Sequence, residues 1–422
     1  MNKAQIIENE NGFKAVNAFI FAGSFSLGVM KAGFDLRRVL EISDDQPKQN
    51  AFYFMKNVED VSVVLPSEWE NDEYLASMKN EDIDIMCCNC PCSSLSQINR
   101  NASVDGKNNV HFYRLFNIFQ KAQPKAFVIE NAPTLIKLGF PILRDLVEKL
   151  SSIYRFTIIR DCAGNHNVAM QRMRTLVVGW RRDYFKKIPL VNTDKHKQVY
   201  VKDCLGDIYD DKTNDNLSKT VDSISSLYKY AKPGEALIKS LAYMYNDGDK
   251  NFIEELKNAT KRTSFMKEIE RVASKLKAKQ NIWDKSPYKL IDDKHFPSLT
   301  SVNEYLHPHQ DRTLNLRETA RIMNYPDWYD FHDEKNETTI PVTQAIAQGV
   351  PANFGKYIAS QVCLGLKHEL NEIDDNSIDV VFQNHTIEKY KEFTKDEFMK
   401  LSELKIDSKD SKKLVGKEKY VC

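Results

Sequence analysis

Short apolar runs alternate with helical spacings over the first 180 residues, and each run ends in a polar group or a turn. Residues 16–21 read as a buried strand, Ala22-Gly23-Ser24-Phe25-Ser26 as a tight turn, and residues 27–32 as a helix that Gly33 closes. A second run, Val39-Leu40, delivers Glu41. A third, residues 83–90, stops at Pro91 with Cys92 behind it. Phe112, Leu115, Phe116 and Phe119 recur at helical spacing, Pro124 ends that helix, and residues 126–129 form a strand that runs into Glu130-Asn131. Residues 142–150 read as a helix, and residues 155–159 and 175–179 as strands. Alternation of this kind predicts an α/β fold with a Rossmann-like sheet, whose carboxyl strand ends open onto the ligand crevice.

From residue 183 the alternation stops, and up to about residue 309 the chain is polar, lysine-rich and irregular. This predicts a second, smaller domain. Within it residues 256–279 are helix-like and carry eight basic side chains against Glu268 and Glu270, so Lys257, Lys261 and Arg262 are candidates for a positive stripe; a solvated helix face is the bland alternative. Residues 314–325 form a helix that Pro326 stops, and Gln344 to Pro351 leads into a last helix through Ile358 and Val362. The final fifty-odd residues mix both charges densely, with Thr394 and Glu397 ahead of Phe398 as a capping box. The predicted division is 1–182, 183–335, a return to the first domain over 336–370, and a charged extension over 371–422.

Composition narrows the class. A chain of 422 residues, 42% hydrophobic, builds a sizeable core, and a net charge of +1 with 28% charged residues confines any nucleic-acid contact to a local patch. Eight irregularly spaced cysteines read as reduced intracellular thiols, and the cluster at 87, 88, 90 and 92 lacks the paired spacing of a zinc site, so no metal is expected. No stretch reads as a signal peptide or membrane span, which predicts a cytoplasmic protein with no membrane partner.

The candidate chemistry lies at strand ends. Pro91 stiffens the turn that aims Cys92, as a nucleophilic thiol requires, although a buried cysteine acting as a small hydrophobe is the commoner fate. Glu130 falls on the same rim. Arg172 and Arg174, two apart and on one face if extended, suit an oxygen or a phosphate. Glu41, eighteen residues past Gly23, stands about where a ribose-binding acid belongs, which suggests an adenosine-containing cofactor.

Taken in order, these pieces resemble the DNA cytosine-5 methyltransferase family over roughly residues 15–182 and 297–363, with the family's variable target-recognition domain between. Phe21-Ala22-Gly23 is similar to its opening cofactor motif, Pro91-Cys92 to its Pro-Cys, Glu130-Asn131 to its Glu-Asn motif, and Arg172-Met173-Arg174 to its paired arginines. Arg312 through Asp327 is similar to the long motif that ends in Phe-Pro-Asp. The resemblance implies S-adenosylmethionine as cofactor, held by Phe21, Gly23, Ser24, Glu41, Ile42, Asp60, Val61, Pro91, Gln348 and Val350. It implies Cys92, Glu130, Arg172 and Arg174 as the reacting set. Double-stranded DNA would be the partner, met by Ser93 and the basic stripe, and the enzyme would be a monomer beside a paired restriction nuclease in a bacterial or phage-infected cell. The chain departs from the family where a Gly-Gly pair becomes Phe25-Ser26, a tryptophan becomes Ile42, a Gln becomes Met170 and Gly-Asn becomes Ala347-Gln348. The expectation is weaker cofactor binding through crowding by Phe25. A non-catalytic DNA-binding relative, or a cytosine-5 modifying enzyme with an altered cofactor, is the alternative.

Overall fold

The computed structural model describes residues 6, 10–45, 51–96, 99, 101–186, 197–208, 224–260, 263–282, 286–300, 304–332, 341–373, 390–392 and 419–421. It divides into two units, residues 1–168, 172–198 and 328–422 in the first, and 169–171 with 199–327 in the second.

The first unit is built on seven strands: β1 (Lys14–Ala18), β2 (Asp35–Leu40), β3 (Ser62–Val64), β4 (Ile85–Asn89), β5 (Ala126–Asn131), β6 (Tyr154–Cys162) and β7 (Met173–Arg181). Their order is β3-β2-β1-β4-β5-β7-β6, parallel from β3 to β5, with β7 antiparallel to both neighbours. The short strands Tyr390–Glu392 and Lys419–Val421 extend the sheet beyond β6. The capping box at Thr394 and Glu397 lies outside the described residues.

Every residue of β4 and β5 is buried, as expected of parallel strands covered on both faces. On one face Met86, Phe127 and Ile129 pack against Phe112, Leu115, Phe116 and Phe119 of the helix Val110–Ala122, the spacing legible in the sequence. On the other lie the helices Ser24–Lys31 and Ala352–Glu369. Two glycines let these helices touch: a Cβ at Gly28 would stand 2.3 Å from the Ala352 carbonyl oxygen, and one at Gly355 would stand 2.6 Å from Cδ2 of Phe25.

The Phe25 ring is therefore core, 2% exposed and seated on Gly355, and the crowding expected of it does not arise. The Ser26 hydroxyl is likewise occupied, accepting from Asn17 Nδ2 at 2.8 Å. Phe25→Ala is expected to cost about 3–5 kcal/mol by leaving a cavity. A lower urea midpoint with an unchanged slope would show it.

The first strand is shorter than the apolar run predicts. It stops at Ala18 because Phe19 and Phe21 adopt φ of 58° and 50°, and the run continues only because the turn itself is buried. Bulky residues at positive φ are uncommon and mark a turn held by its surroundings. Here the Tyr329 hydroxyl donates to the Ala22 carbonyl at 2.6 Å.

The second unit has its own small core, in which Leu237, Leu241, Phe252, Leu256, Ile269 and Val272 meet. The single helix expected over 256–279 is two, Lys250–Ala259 and Thr263–Lys277. Thr260 ends the first, its hydroxyl donating back to the Leu256 carbonyl at 2.7 Å. The helix Leu316–Ile322 starts with a capping box between Asn315 and Glu318, and Arg312 grips that buried glutamate through both oxygens at 2.9 and 2.7 Å.

Candidate active site

Strand register brings the predicted reacting groups together. β4 and β5 run parallel with Asn89 opposite Glu130, and Asn89 Nδ2 donates to Glu130 Oε2 at 2.9 Å. From β7, Arg174 places its Nε on the other carboxylate oxygen, Oε1. Both members of this ion pair are buried, so each needs the other. The neighbouring Asn131 shapes the turn: its Nδ2 donates to the Cys90 carbonyl at 2.9 Å, and its Oδ1 accepts from the Ala132 amide at 2.9 Å.

Cys92 follows, half-buried, in the field of these groups. Burial pushes its thiol above the ordinary value, Arg174 draws it down, Glu130 pushes it up and Arg172 draws it down. Burial also pushes up Cys87, Cys88 and Cys90, without an arginine pair to oppose it. Cys92 thus stands apart among the strand-end thiols through two guanidinium neighbours that oppose the effect of burial, although burial prevails. Arg172 is 2% exposed, and its Nη2 donates to the Ala347 carbonyl at 2.7 Å, so it fastens the backbone just ahead of Gln348.

The loop after Cys92 is bonded to itself across its described part. Ser103 N donates to the Ser94 carbonyl at 2.9 Å, and Asn109 Nδ2 donates to the carbonyls of Ser103 and Val104 at 3.1 and 2.6 Å. Ser93 is exposed beside Cys92, and its hydroxyl accepts from Asn108 Nδ2.

At the β1 and β2 ends the predicted cofactor residues are placed unequally. Gly23 has φ 87°, and a Cβ there would meet the Phe54 ring at 2.2 Å, so the turn admits only glycine. Phe21, Ser24 and Val350 are buried, and Ile42, Pro91 and Gln348 are partly so. Glu41 is 2% exposed, with Oε1 accepting from the Ile42 amide at 2.6 Å and Oε2 from the Ala51 amide at 2.7 Å.

Asp60 and Val61 do not join this rim. β3 pairs with β2 as Arg38 to Ser62 and Leu40 to Val64, so Asp60 and Val61 precede the strand at its amino end, roughly 13 Å along the chain from Val64. The family resemblance put them at the cofactor by their place in the order of motifs, which the register of β3 on β2 does not follow. The groups it missed at this edge come from the polar stretch after β3 and from distant positions. The Ser67 amide and hydroxyl donate to Asp44 Oδ1 at 2.9 and 2.7 Å, holding that carboxyl below its usual range. Trp69 Nε1 donates to the Glu41 carbonyl at 2.9 Å, and the Arg114 guanidinium lies 4.6 Å from the Trp69 ring while donating to the Ile42 carbonyl at 3.2 Å. An aromatic thus stands near Ile42, supplied from another element.

In the second unit Lys257 is exposed in the last turn of its helix, while Lys261 and Arg262 lie outside the described residues. Among the described residues no group of His, Cys, Asp and Glu is placed to hold a metal, and no helix is long and apolar enough to cross a membrane.

A Rossmann-like sheet that carries a thiol, an acid and an arginine at adjoining strand ends has reactive side chains on the rim where such sheets bind their ligands. The model of the C-5 cytosine-specific DNA methylases matches residues 13–363, and the chain belongs to that family. Among curated relatives, it is 25% identical over 382 residues to the type II methyltransferase M.XorII of Xanthomonas oryzae, covering 83% of this chain and 85% of that one. It is 24% identical over 393 residues to M.Sau96I of Staphylococcus aureus, covering 87% and 79%. Among solved structures, a DNA modification methyltransferase encoded within an E. coli prophage shares the fold with a TM-score of 0.55 at 20% identity, covering 85% of this chain and all of that one. The S. pombe Dnmt2 methyltransferase does so at 0.52 and 11%, covering 85% and 99%.

The family implies S-adenosylmethionine, and the residues present fit it. Ser24 Oγ and Asn17 Oδ1 are buried at the β1 end, beside a glycine turn and a buried acid, and neither has a hydrogen-bond partner among the described residues. Unmet polar atoms of this kind suit a ligand that carries hydroxyl, amino and carboxylate groups.

Proposed function

We propose that this protein is a DNA cytosine-5 methyltransferase that works through a covalent bond between Cys92 and carbon 6 of a flipped-out cytosine. The observation that carries the reading is the meeting of Cys92, Glu130 and Arg174 at adjoining strand ends. Carbon 5 of cytosine is a poor nucleophile; addition of the Cys92 thiolate to carbon 6 makes the ring an enamine. Glu130 holds ring nitrogen 3 and the exocyclic amine, and Arg174 holds the carbonyl oxygen, so charge that develops on addition meets groups already in place. Arg172, bound to the Ala347 carbonyl, keeps the arginine strand in register with the backbone leading to Gln348. When bound, S-adenosylmethionine supplies an electrophilic methyl group. Gly23, Ser24, Glu41 and Ile42 would hold it. Loss of the carbon 5 proton to a base then expels the Cys92 thiolate and restores the ring.

Because the target atom is shielded in a stacked duplex, the base has to leave the helix, and the loop from Ser93 to Asn109 closes over it. Residues 183–335 choose the target sequence, and the enzyme acts as a cytoplasmic monomer beside a cognate nuclease. The test is incubation of the protein with methyl-labelled S-adenosylmethionine and double-stranded DNA. Label recovered in 5-methylcytosine supports the reading, and label absent from DNA refutes it.

The DNA contact has a separate check. Replacing Lys257, Lys261 and Arg262 by alanine is expected to flatten the slope of log binding constant against log salt by about 3 if each touches a phosphate. Fluorescence anisotropy at several salt concentrations measures it, and an unaltered slope returns this stretch to a solvated face.

A further inference from the structure

Asp161 stands directly opposite Arg174 in the antiparallel ladder of β6 and β7, so the two side chains leave the sheet on the same face. On the other side of Arg174 lies Glu130, whose own partner in the ladder is Leu176. One guanidinium therefore has a carboxylate on each flank. It pairs with Glu130, and among the described residues no ion pair joins it to Asp161.

Asp161 is engaged elsewhere. Its Oδ1 accepts from the Cys162 amide at 2.7 Å and from Asn165 Nδ2 at 3.1 Å, and its Oδ2 lies 2.7 Å from His166 Nε2. Both side chains are about as buried as any in the unit, at 2% exposure or less. The His166 ring is in turn fixed by stacking on Tyr357, with centroids 3.7 Å apart and planes at 16°, and on Phe354 at 5.5 Å. Both belong to the helix Ala352–Glu369.

We propose that His166 is a positioning residue: by holding Asp161 it keeps that carboxylate off Arg174, and so leaves Arg174 on Glu130 and both aligned with Cys92. A buried carboxylate deprived of a partner competes for a neighbouring cation, because a poorly compensated buried charge is costly, so Asp161 and Glu130 would then contend for the one guanidinium between them. Without His166, Arg174 would be drawn toward β6, and Glu130 would lose the contact that orients it. The kinetic part of this inference rests on the methyltransferase reading above; the structural part does not.

His166→Phe is the variant of choice, since it keeps the ring stacked on Tyr357 and Phe354 while removing the bond to Asp161. Three results are expected. The crystal structure of the variant shows Arg174 turned to Asp161. Adduct formation with DNA containing 5-fluorocytosine slows about tenfold at unchanged DNA affinity, as misorientation of a substrate-holding group does. The rate returns in His166→Phe/Asp161→Asn, where residue 161 still accepts from Cys162 and Asn165 but no longer competes for a cation. Arg174 still on Glu130 in His166→Phe overturns the inference whatever the activity. A double variant as slow as the single overturns it too, because loss of packing alone is not repaired by neutralising residue 161. If the wild-type protein forms no adduct, the methyltransferase reading fails, and the crystal structure of the variant still decides this one.

Discussion

Cys92→Ser is expected to lower methyl transfer by on the order of 10⁴-fold or more, because removing a nucleophile abolishes the pathway rather than weakening one of its contacts. DNA carrying 5-fluorocytosine should trap the wild-type protein in an adduct that survives denaturant, since carbon 5 then has no proton to lose. The serine variant should leave none. Adduct formation undiminished in Cys92→Ser would move the nucleophile elsewhere, yet the other strand-end thiols are poor substitutes: Cys87, Cys88 and Cys90 are pushed up by burial and have no arginine pair beside them. The pH dependence carries a sign. Burial dominates at Cys92 and holds the thiol above its ordinary value despite Arg174 and Arg172, so the thiolate is the minor form near neutrality. Adduct formation is therefore expected to keep rising with pH through the ordinary thiol range, followed by the rate of trapped complex at fixed DNA. A rate that levels off below that range would mean a thiol already ionised.

How much of this was legible in the sequence depends on what each feature rests on. The strands β4 and β5 were readable because a parallel strand covered on both faces is an uninterrupted apolar run, and their polar ends, Cys92 and Glu130, mark the rim in the same pattern. The pairing of Glu130 with Arg174 was not, since it depends on β7 running antiparallel to β5, a choice no local pattern records. Asp60 was assigned by its place in the family's order of motifs, and its position ahead of β3 depends on the register of β3 on β2, which no local pattern records. Phe25 looked like an intruder in the cofactor turn because its glycine partner, Gly355, lies 330 positions later. The break at Thr260 went unseen because residues 256–279 keep helical spacing across it, and a threonine hydroxyl bonded back to Leu256 ends the helix without a glycine or proline. His166 and Asp161 left no motif at all; only the turn between β6 and β7 brings them together.

Glu130→Gln is expected to lower turnover by about 10²–10³-fold, the loss seen when a group aimed at developing charge is removed, with DNA affinity little changed. The amide fills the same space and can still accept from Asn89, but it cannot match the charge of Arg174 or supply a proton to ring nitrogen 3. A slower enzyme alone would not separate this role from a general disturbance of the site. The electrostatics do, because the two explanations predict opposite changes at Cys92. The charge on Glu130 pushes the Cys92 thiol up, and Arg174, no longer neutralised, would draw it down further. Neutralising the acid therefore makes the thiol easier to ionise. Alkylation of Cys92 by iodoacetamide, followed peptide by peptide in a mass spectrometer, should be faster in Glu130→Gln than in the wild type, while the adduct with cytosine forms more slowly. Faster alkylation with slower adduct formation places Glu130 on the base. Were both to fall together, the variant would have damaged the turn that carries Cys92; were turnover to stay normal, the acid that holds the cytosine would have to be another residue.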